Sequence, residues 1–192
     1  MKPNTLYTQR LILRKISLDD KNEVFRLFSD EKNNLFTDND IHKSIDESVR
    51  YIRNLQTKKQ KPAKIVKAVC LKENNVLIGV ISLYNIDYKH SFTTFGCVLM
   101  PEFQKKGIIP EGLIAVFDFA FNTLNMRRIE AQVYTENFIS IKMFDKLNLI
   151  REGKLRQNFL IAGKFCDSYM YSILKEEFTG YFIIDNKINS SI

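Results

Sequence analysis

Apolar residues along this chain follow two periods, and each change of period marks a new element. Leu11, Ile12 and Leu13, closed in by Arg10 and Arg14, form a run too short for a helix and predict a strand. Ser17 or Asp19 then offers a side-chain cap to a helix whose apolar face is Val24, Phe25, Leu27 and Phe28. A second helix follows Ser44, where Ile45, Val49, Ile52 and Leu55 recur on one face, and it stops before Lys61-Pro62. Residues 65–71, 76–84 and 92–100 are β-rich and parted by short polar breaks, so they predict a meander of antiparallel strands.

From residue 111 to 124 the period turns helical. Leu113, Ile114, Val116, Phe117, Phe119, Phe121 and Leu124 occupy more than one face, so this helix is expected to lie buried against the sheet. Residues 128–134 predict a strand. Residues 139–147 predict a short helix with Ile139, Met143, Phe144 and Leu147 inward, ended by Asn148 in a left-handed turn. Residues 154–161 and 164–174 flank Ala162-Gly163 and predict a closing hairpin. The order β-α-α-β-β-β-α-β-α-β-β is that of an α+β fold with one largely antiparallel sheet. Residues 1–178 are expected to form a single domain. Residues 179–192 read as a polar-flanked tail whose only apolar patch is 181–184.

Composition narrows the class. At 192 residues and 45% hydrophobic, the chain can bury a sizeable core in one unit. No apolar run approaches the roughly 20 residues of a membrane span, and residues 1–8 lack a signal-peptide core, so a cytoplasmic protein without a membrane partner is expected. Cys70, Cys97 and Cys166 sit singly in strand-like runs, which predicts reduced, buried thiols rather than disulfides or a zinc site. His42 and His90 lie in polar surroundings, and no metal centre is expected. The net charge of +7 suits an anionic ligand such as a phosphorylated cofactor. Its densest cluster, Lys58, Lys59, Lys61 and Lys64, has no interleaved aromatics and reads as a solvated helix end, so direct nucleic-acid binding is not expected.

The most informative stretch runs from Met100-Pro101 through Gln104-Lys105-Lys106-Gly107-Ile108-Ile109-Pro110-Glu111. It joins a strand to the buried helix through a basic turn that contains glycine. Helix starts leave N–H groups unpaired, and those donors with the helix dipole make a site for a diphosphate. Gly107 permits close approach, Lys105 and Lys106 add charge, and Pro110 fits the first turn. The same residues also suit an ordinary strand-to-helix turn. The chain has neither the G-x-x-x-x-G-K-[ST] nor the G-x-G-x-x-G phosphate loop.

Gln104 and Gly107 resemble the Q/R-x-x-G-x-G/A cofactor motif of the GNAT N-acetyltransferase superfamily, with Ile109 in place of its last small residue. The chain as a whole resembles the RimJ/RimL-like branch, which acetylates ribosomal-protein N-termini. Residues Thr8 to Arg14, Ile78-Gly79-Val80-Ile81, Arg128-Ile129-Glu130-Ala131, Asn137-x-x-Ser140, Lys146-Leu147, Gly163 and Asp167 carry that likeness, in order, over about residues 8–178. The resemblance implies a GNAT-like acyl-CoA N-acyltransferase fold: a mixed, largely antiparallel sheet of about seven strands with splayed central strands, flanked by about four helices. It implies acetyl-coenzyme A as co-substrate, with no metal, in a monomer or homodimer. The pantetheine would pair with Cys97, Val98 and Leu99. The diphosphate would sit on the amides of Lys105, Lys106, Gly107, Ile108 and Ile109, with Gln104 also among the cofactor-binding residues. Asn137 would contact the pantetheine, although its position equally suits a helix cap.

Acetyl transfer needs a polarised thioester carbonyl and a proton for the departing thiolate. Backbone N–H near Val98 is the expected oxyanion donor. Relatives often carry a Tyr where this chain has Phe144, and a Glu where it has Thr94, so Ser140 is the candidate donor to the thiolate. Its hydroxyl equally suits a bond to helix backbone. Glu130 and Glu136 are candidate bases, and Tyr134 and Tyr169 candidates to line the acceptor groove with Glu136. The acceptor is a protein N-terminus or a small amine such as an aminosugar, polyamine or aminoglycoside. Phe144 and Thr94 also leave open a non-catalytic coenzyme A-binding module.

Overall fold

The computed structural model describes residues 5–37, 39–56, 63–161, 163–184 and 187–190. Its elements are β1 (Leu6–Tyr7), β2 (Leu11–Arg14), α1 (Lys21–Ser29), α2 (Glu31–Asn34), α3 (Ile45–Leu55), β3 (Lys64–Leu71), β4 (Leu77–Asp87) and β5 (Phe92–Leu99). They continue with α4 (Ile108–Asn122), β6 (Arg128–Tyr134), α5 (Phe138–Lys146), β7 (Ile150–Ile161), β8 (Lys164–Leu174), β9 (Tyr181–Ile184) and β10 (Lys187–Ser190). One sheet of eight strands runs β1-β2-β3-β4-β5-β6-β8-β7, and β9 pairs with β10 apart from it. All pairings in the large sheet are antiparallel except β5 with β6. The α+β class and the largely antiparallel sheet are those expected from the sequence.

The differences have local causes. The extra strand β1 is two residues long, too short to show a period. The extra helix α2 is a single turn, held by the Asp30 carboxylate, which accepts the Asn33 N–H at 3.0 Å. Helix α4 starts at Ile108 rather than Glu111, because Gly107 takes φ +72° and ends the turn early. Strand β7 begins at Ile150 rather than residue 154, and its first residues are exposed, so no apolar alternation marks them. In α5 the cap is Asn137, and Ile139, expected inward, is 60% exposed. The segment read as a tail forms the β9–β10 hairpin, with β9 beside α4 and α5. The expected lysine cluster at 58–61, the stop before Lys61-Pro62 and Ala162 lie outside the described residues.

Two apolar cores cover the two faces of the sheet. Leu13, Val69, Ile81, Phe95 and Leu99 face α4 and α5, where Phe117, Phe121 and Phe144 meet them. Ala68, Cys70, Val80 and Val98 face α1 and α3, against Val24, Leu27, Phe28 and Ile52. Each buried aromatic or aliphatic side chain contributes on the order of 2 kcal/mol, so the central strands are fixed from both sides. His42 is a correction: it is 7% exposed, packed 5.0 Å from the Phe28 ring, with Nδ1 2.8 Å from Ser48 Oγ. Asn148 takes the expected left-handed conformation, φ +58°. Cys70, Cys97 and Cys166 are free thiols.

Candidate functional site

The parallel pair β5–β6 is registered only at Phe92↔Arg128, Thr93↔Ile129 and Thr94↔Glu130. Beyond Thr94 the two strands run on, to Leu99 and Tyr134, without pairing. A wedge-shaped slot therefore opens in the middle of the sheet, its walls edged with main-chain polar groups that ordinarily require partners.

Ladder alternation decides which groups face the slot. Met100 N–H donates to the Ile78 carbonyl at 2.9 Å, and Val98 pairs with Val80 two residues before it. Residues two apart along an antiparallel strand point the same way. Val98 is therefore turned to β4, and a Cβ added at Gly79 would lie 2.6 Å from its carbonyl oxygen. The N–H groups facing the slot belong to Cys97 and Leu99, so the backbone donor expected near Val98 would come from its neighbours and not from Val98 itself. The Cys97 thiol faces the α4 core, and desolvation pushes it up to about 12. At neutral pH it is a thiol, not a thiolate nucleophile. On the α4 side the slot is floored by rings: Phe95 lies 5.0 Å from Phe117 and 5.4 Å from Phe144, which lies 5.3 Å from Tyr171.

At the wide end sits the turn before α4. Lys105 has φ +59° and Gly107 φ +72°, so the chain twists twice into the left-handed region within three residues. The N–H groups of Lys105, Lys106, Gly107, Ile108 and Ile109 have no protein partner among the described residues. Gln104 ties this turn down: its Nε2 donates to the Leu99 carbonyl at 3.1 Å and to Asn33 Oδ1 at 2.8 Å. Run together at a helix N-terminus beside two lysines, these amides suit an anion such as a diphosphate.

A brace that the sequence did not reveal holds the turn from below. Glu111, 3% exposed in the first turn of α4, accepts the Thr8 hydroxyl at 2.5 Å, the Arg10 N–H at 2.8 Å and Arg10 Nε at 2.6 Å. Arg10 also donates to the Lys106 carbonyl at 3.0 Å, so the β1–β2 turn grips both ends of the loop. Thr8 and Arg10 belong to the stretch quoted for the family likeness, which was the available signal.

On the other side of the slot, Asn137 caps α5. Its Oδ1 accepts the Ser140 N–H at 3.2 Å, so the cap reading of Asn137 holds. Its carboxamide N–H groups and the Ser140 hydroxyl have no partner among the described residues, so neither is consumed by local structure. Glu130 lies where the strands still pair. Its carboxylate accepts Arg128 Nε at 2.6 Å, while Arg128 also forks onto Glu152 at 2.6 and 2.5 Å. The Arg128 hydrogen bond pulls Glu152 down to about 2.

Tyr134 and Tyr169, expected to share one groove, lie on opposite faces. Tyr134 pairs with Ser168 and Val133 with Tyr169, and side chains alternate with period two. Tyr169 packs against the α4-side core under the Arg151 guanidinium, 4.7 Å away. Tyr134 faces α2, its ring 5.3 Å from Phe36. Hydrogen bonding to the Cys166 thiol, then desolvation and Glu136, raise its phenol above the ordinary value. Asn33 at Gln104 and Phe36 at Tyr134 carry the α2 segment across the slot from the β5 side to the β6 side.

A splayed parallel pair beside an amide-lined helix start defines a class of acyl-transfer folds. The acetyltransferase (GNAT) domain model matches residues 10–149. Uncharacterized N-acetyltransferase p20 of Bacillus licheniformis is 32% identical over 180 residues, covering 92% of this chain and 99% of that protein. A spermidine N(1)-acetyltransferase of Vibrio cholerae is 29% identical over 102 residues, 53% of this chain and 59% of that protein. The crystal structure of spermidine N-acetyltransferase from Vibrio cholerae in complex with CoA and spermine superimposes with a TM-score of 0.77 at 24% identity, over 87% of this chain and 96% of that one. The chain belongs to the GNAT acetyltransferase family and is an N-acetyltransferase.

Proposed function

We propose that this enzyme transfers the acetyl group of acetyl-CoA to a primary amine, with a protein N-terminus as the favoured acceptor. One observation carries the reading: the amides of Lys105, Lys106, Gly107, Ile108 and Ile109, without a partner among the described residues, stand at the mouth of a slot lined by unpaired strand edges. Those amides, with the Lys105 and Lys106 ammonium groups, hold the diphosphate. The slot-facing main chain of Cys97 and Leu99 pairs with the pantetheine arm, and the Asn137 carboxamide meets it from α5.

Bound there, acetyl-CoA supplies an activated thioester. The Cys97 N–H, deeper in the slot than Leu99, is the donor to the thioester carbonyl and stabilises the negative charge that develops on its oxygen. Ser140 donates its hydroxyl to the thiolate side, the role Phe144 has no donor to fill. Glu130 is engaged with Arg128, so Glu136, exposed beside Tyr134, or solvent takes the amine proton. The aromatic floor closes the α4 face, so the acceptor enters from the opposite face, beside the Phe36–Tyr134 ring pair. Orientation of two substrates in one slot supplies much of the rate.

A small polyamine is the second reading, favoured by the likeness to a spermidine acetyltransferase. Thermal unfolding with and without acetyl-CoA tests cofactor binding, and thiol release across an amine panel tests transfer. Cofactor at 100 times its dissociation constant should stabilise the fold by about 2.7 kcal/mol. No stabilisation refutes the assignment. Stabilisation without thiol release from any amine leaves a coenzyme A-binding module instead.

A further inference from the structure

Asn33, a residue on α2 that the reading above gives no role, has its side-chain nitrogen buried with no hydrogen-bond partner among the described residues. Its orientation is dictated by neighbours. The Leu99 carbonyl only accepts, so Gln104 must turn its NH₂ towards it. The same NH₂ also meets Asn33, which must answer with its oxygen, at 2.8 Å. Flipping Asn33 would set two donors face to face. Its own NH₂ is thus held pointing away from Gln104, and the Asn33 main-chain N–H is occupied by Asp30. A buried unpaired donor is costly, and a native structure that keeps one has a reason for it, such as a functional role or a partner that completes it on binding.

The place of this donor identifies the kind of ligand. Helix α2 and the residues just after it lie across the slot on the face away from α4, Asn33 meeting the Gln104 end of β5 and Phe36 meeting Tyr134 on β6. That is the open face, because Phe95, Phe117, Phe144 and Tyr171 close the other. Resting on the acetyl-transfer reading, we infer that Asn33 is an acceptor-recognition residue, donating an N–H to a carbonyl or hydroxyl oxygen carried near the reacting amine. A peptide N-terminus or an aminosugar offers such an oxygen. A polyamine offers ammonium donors and leaves the Asn33 nitrogen unpaired, so the site discriminates against it.

Asn33→Asp is the matched variant: its carboxylate still accepts from Gln104, while the donor is lost and a negative charge gained. The probes are alanyl-alanyl-alanine amide and spermidine, and the readout is the ratio of their kcat/KM values, which is independent of how much variant folds. Wild type should favour the peptide. In Asn33→Asp the ratio should fall about tenfold to a hundredfold through KM for the peptide, the loss expected for one buried donor. Acetyl-CoA affinity should stay within about twofold. An unchanged ratio overturns the inference. So does weakened acetyl-CoA affinity with an unchanged ratio, which would give the Asn33 donor to a pantetheine carbonyl instead. A wild-type preference for spermidine overturns it while leaving acetyl transfer intact, and absence of thiol release with either probe overturns both.

Discussion

Removing the Glu111 carboxylate is the sharpest perturbation of the turn before α4, the proposed diphosphate cradle, that touches none of its amides. Three donors converge on this side chain, which is 5% exposed, from a turn about a hundred residues earlier in the chain. Truncating one partner of a buried charge pair costs about 3–5 kcal/mol. The Arg10 side chain is 44% exposed and regains water when released, which discounts that figure to about 2–3 kcal/mol. Glu111→Ala also frees Arg10 from the helix start, and its hold on the Lys106 carbonyl loosens with it. The left-handed Lys105 and Gly107 then lose their common support, and acetyl-CoA should bind about tenfold more weakly, a change of roughly 1.4 kcal/mol. Glu111→Gln keeps an oxygen for the Thr8 hydroxyl and the Arg10 N–H but turns its NH₂ on the Arg10 Nε–H, so the half-exposed Arg10 side chain swings into water and the cost should be about 1–2 kcal/mol. Urea unfolding followed by circular dichroism gives the stability, and titration calorimetry gives the affinity. If Glu111→Ala unfolds within about 0.5 kcal/mol of wild type and binds acetyl-CoA unchanged, the brace has no role in holding the turn.

Three further outcomes are expected. Gly107→Val forces a β-branched residue to φ +72° and crowds the amides, so it should lose about 2 kcal/mol of stability and most cofactor affinity, read by thermal shift with the ligand. Ser140→Ala should lower kcat about tenfold with acetyl-CoA KM unchanged, and steady-state kinetics with unaltered kcat would remove it from the chemistry. The folded Glu152 carboxyl, at about 2, lies below its ordinary value of 4.5, so the Arg128 pairing stabilises fully above 4.5 and fades as pH falls through about 2. The stability gap between wild type and Glu152→Gln, measured by urea titration, should therefore narrow on acidification through that window; a gap independent of pH would contradict the pairing.

What the amino-acid sequence determined by itself is whatever near neighbours encode. The period of two in the central strands, the apolar wrap of α4, Gly107 before a helix start and Asn148 after one each depend on residues within a few positions, and they placed the class of fold and the left-handed turn that opens α4. Tertiary structure decided the rest. Thr8 and Arg10 meet Glu111 across about a hundred residues, and Asn33 meets Gln104 across 71, contacts that no local pattern announces. Sheet register set Tyr134 and Tyr169 on opposite faces, turned Val98 to β4 and Cys97 to the slot, and brought Arg128 to Glu152. Sequence fixes which polar groups exist and roughly where each segment bends. Which of them remain unpaired, and so available to a substrate, depends on partners brought together only when the distant segments pack.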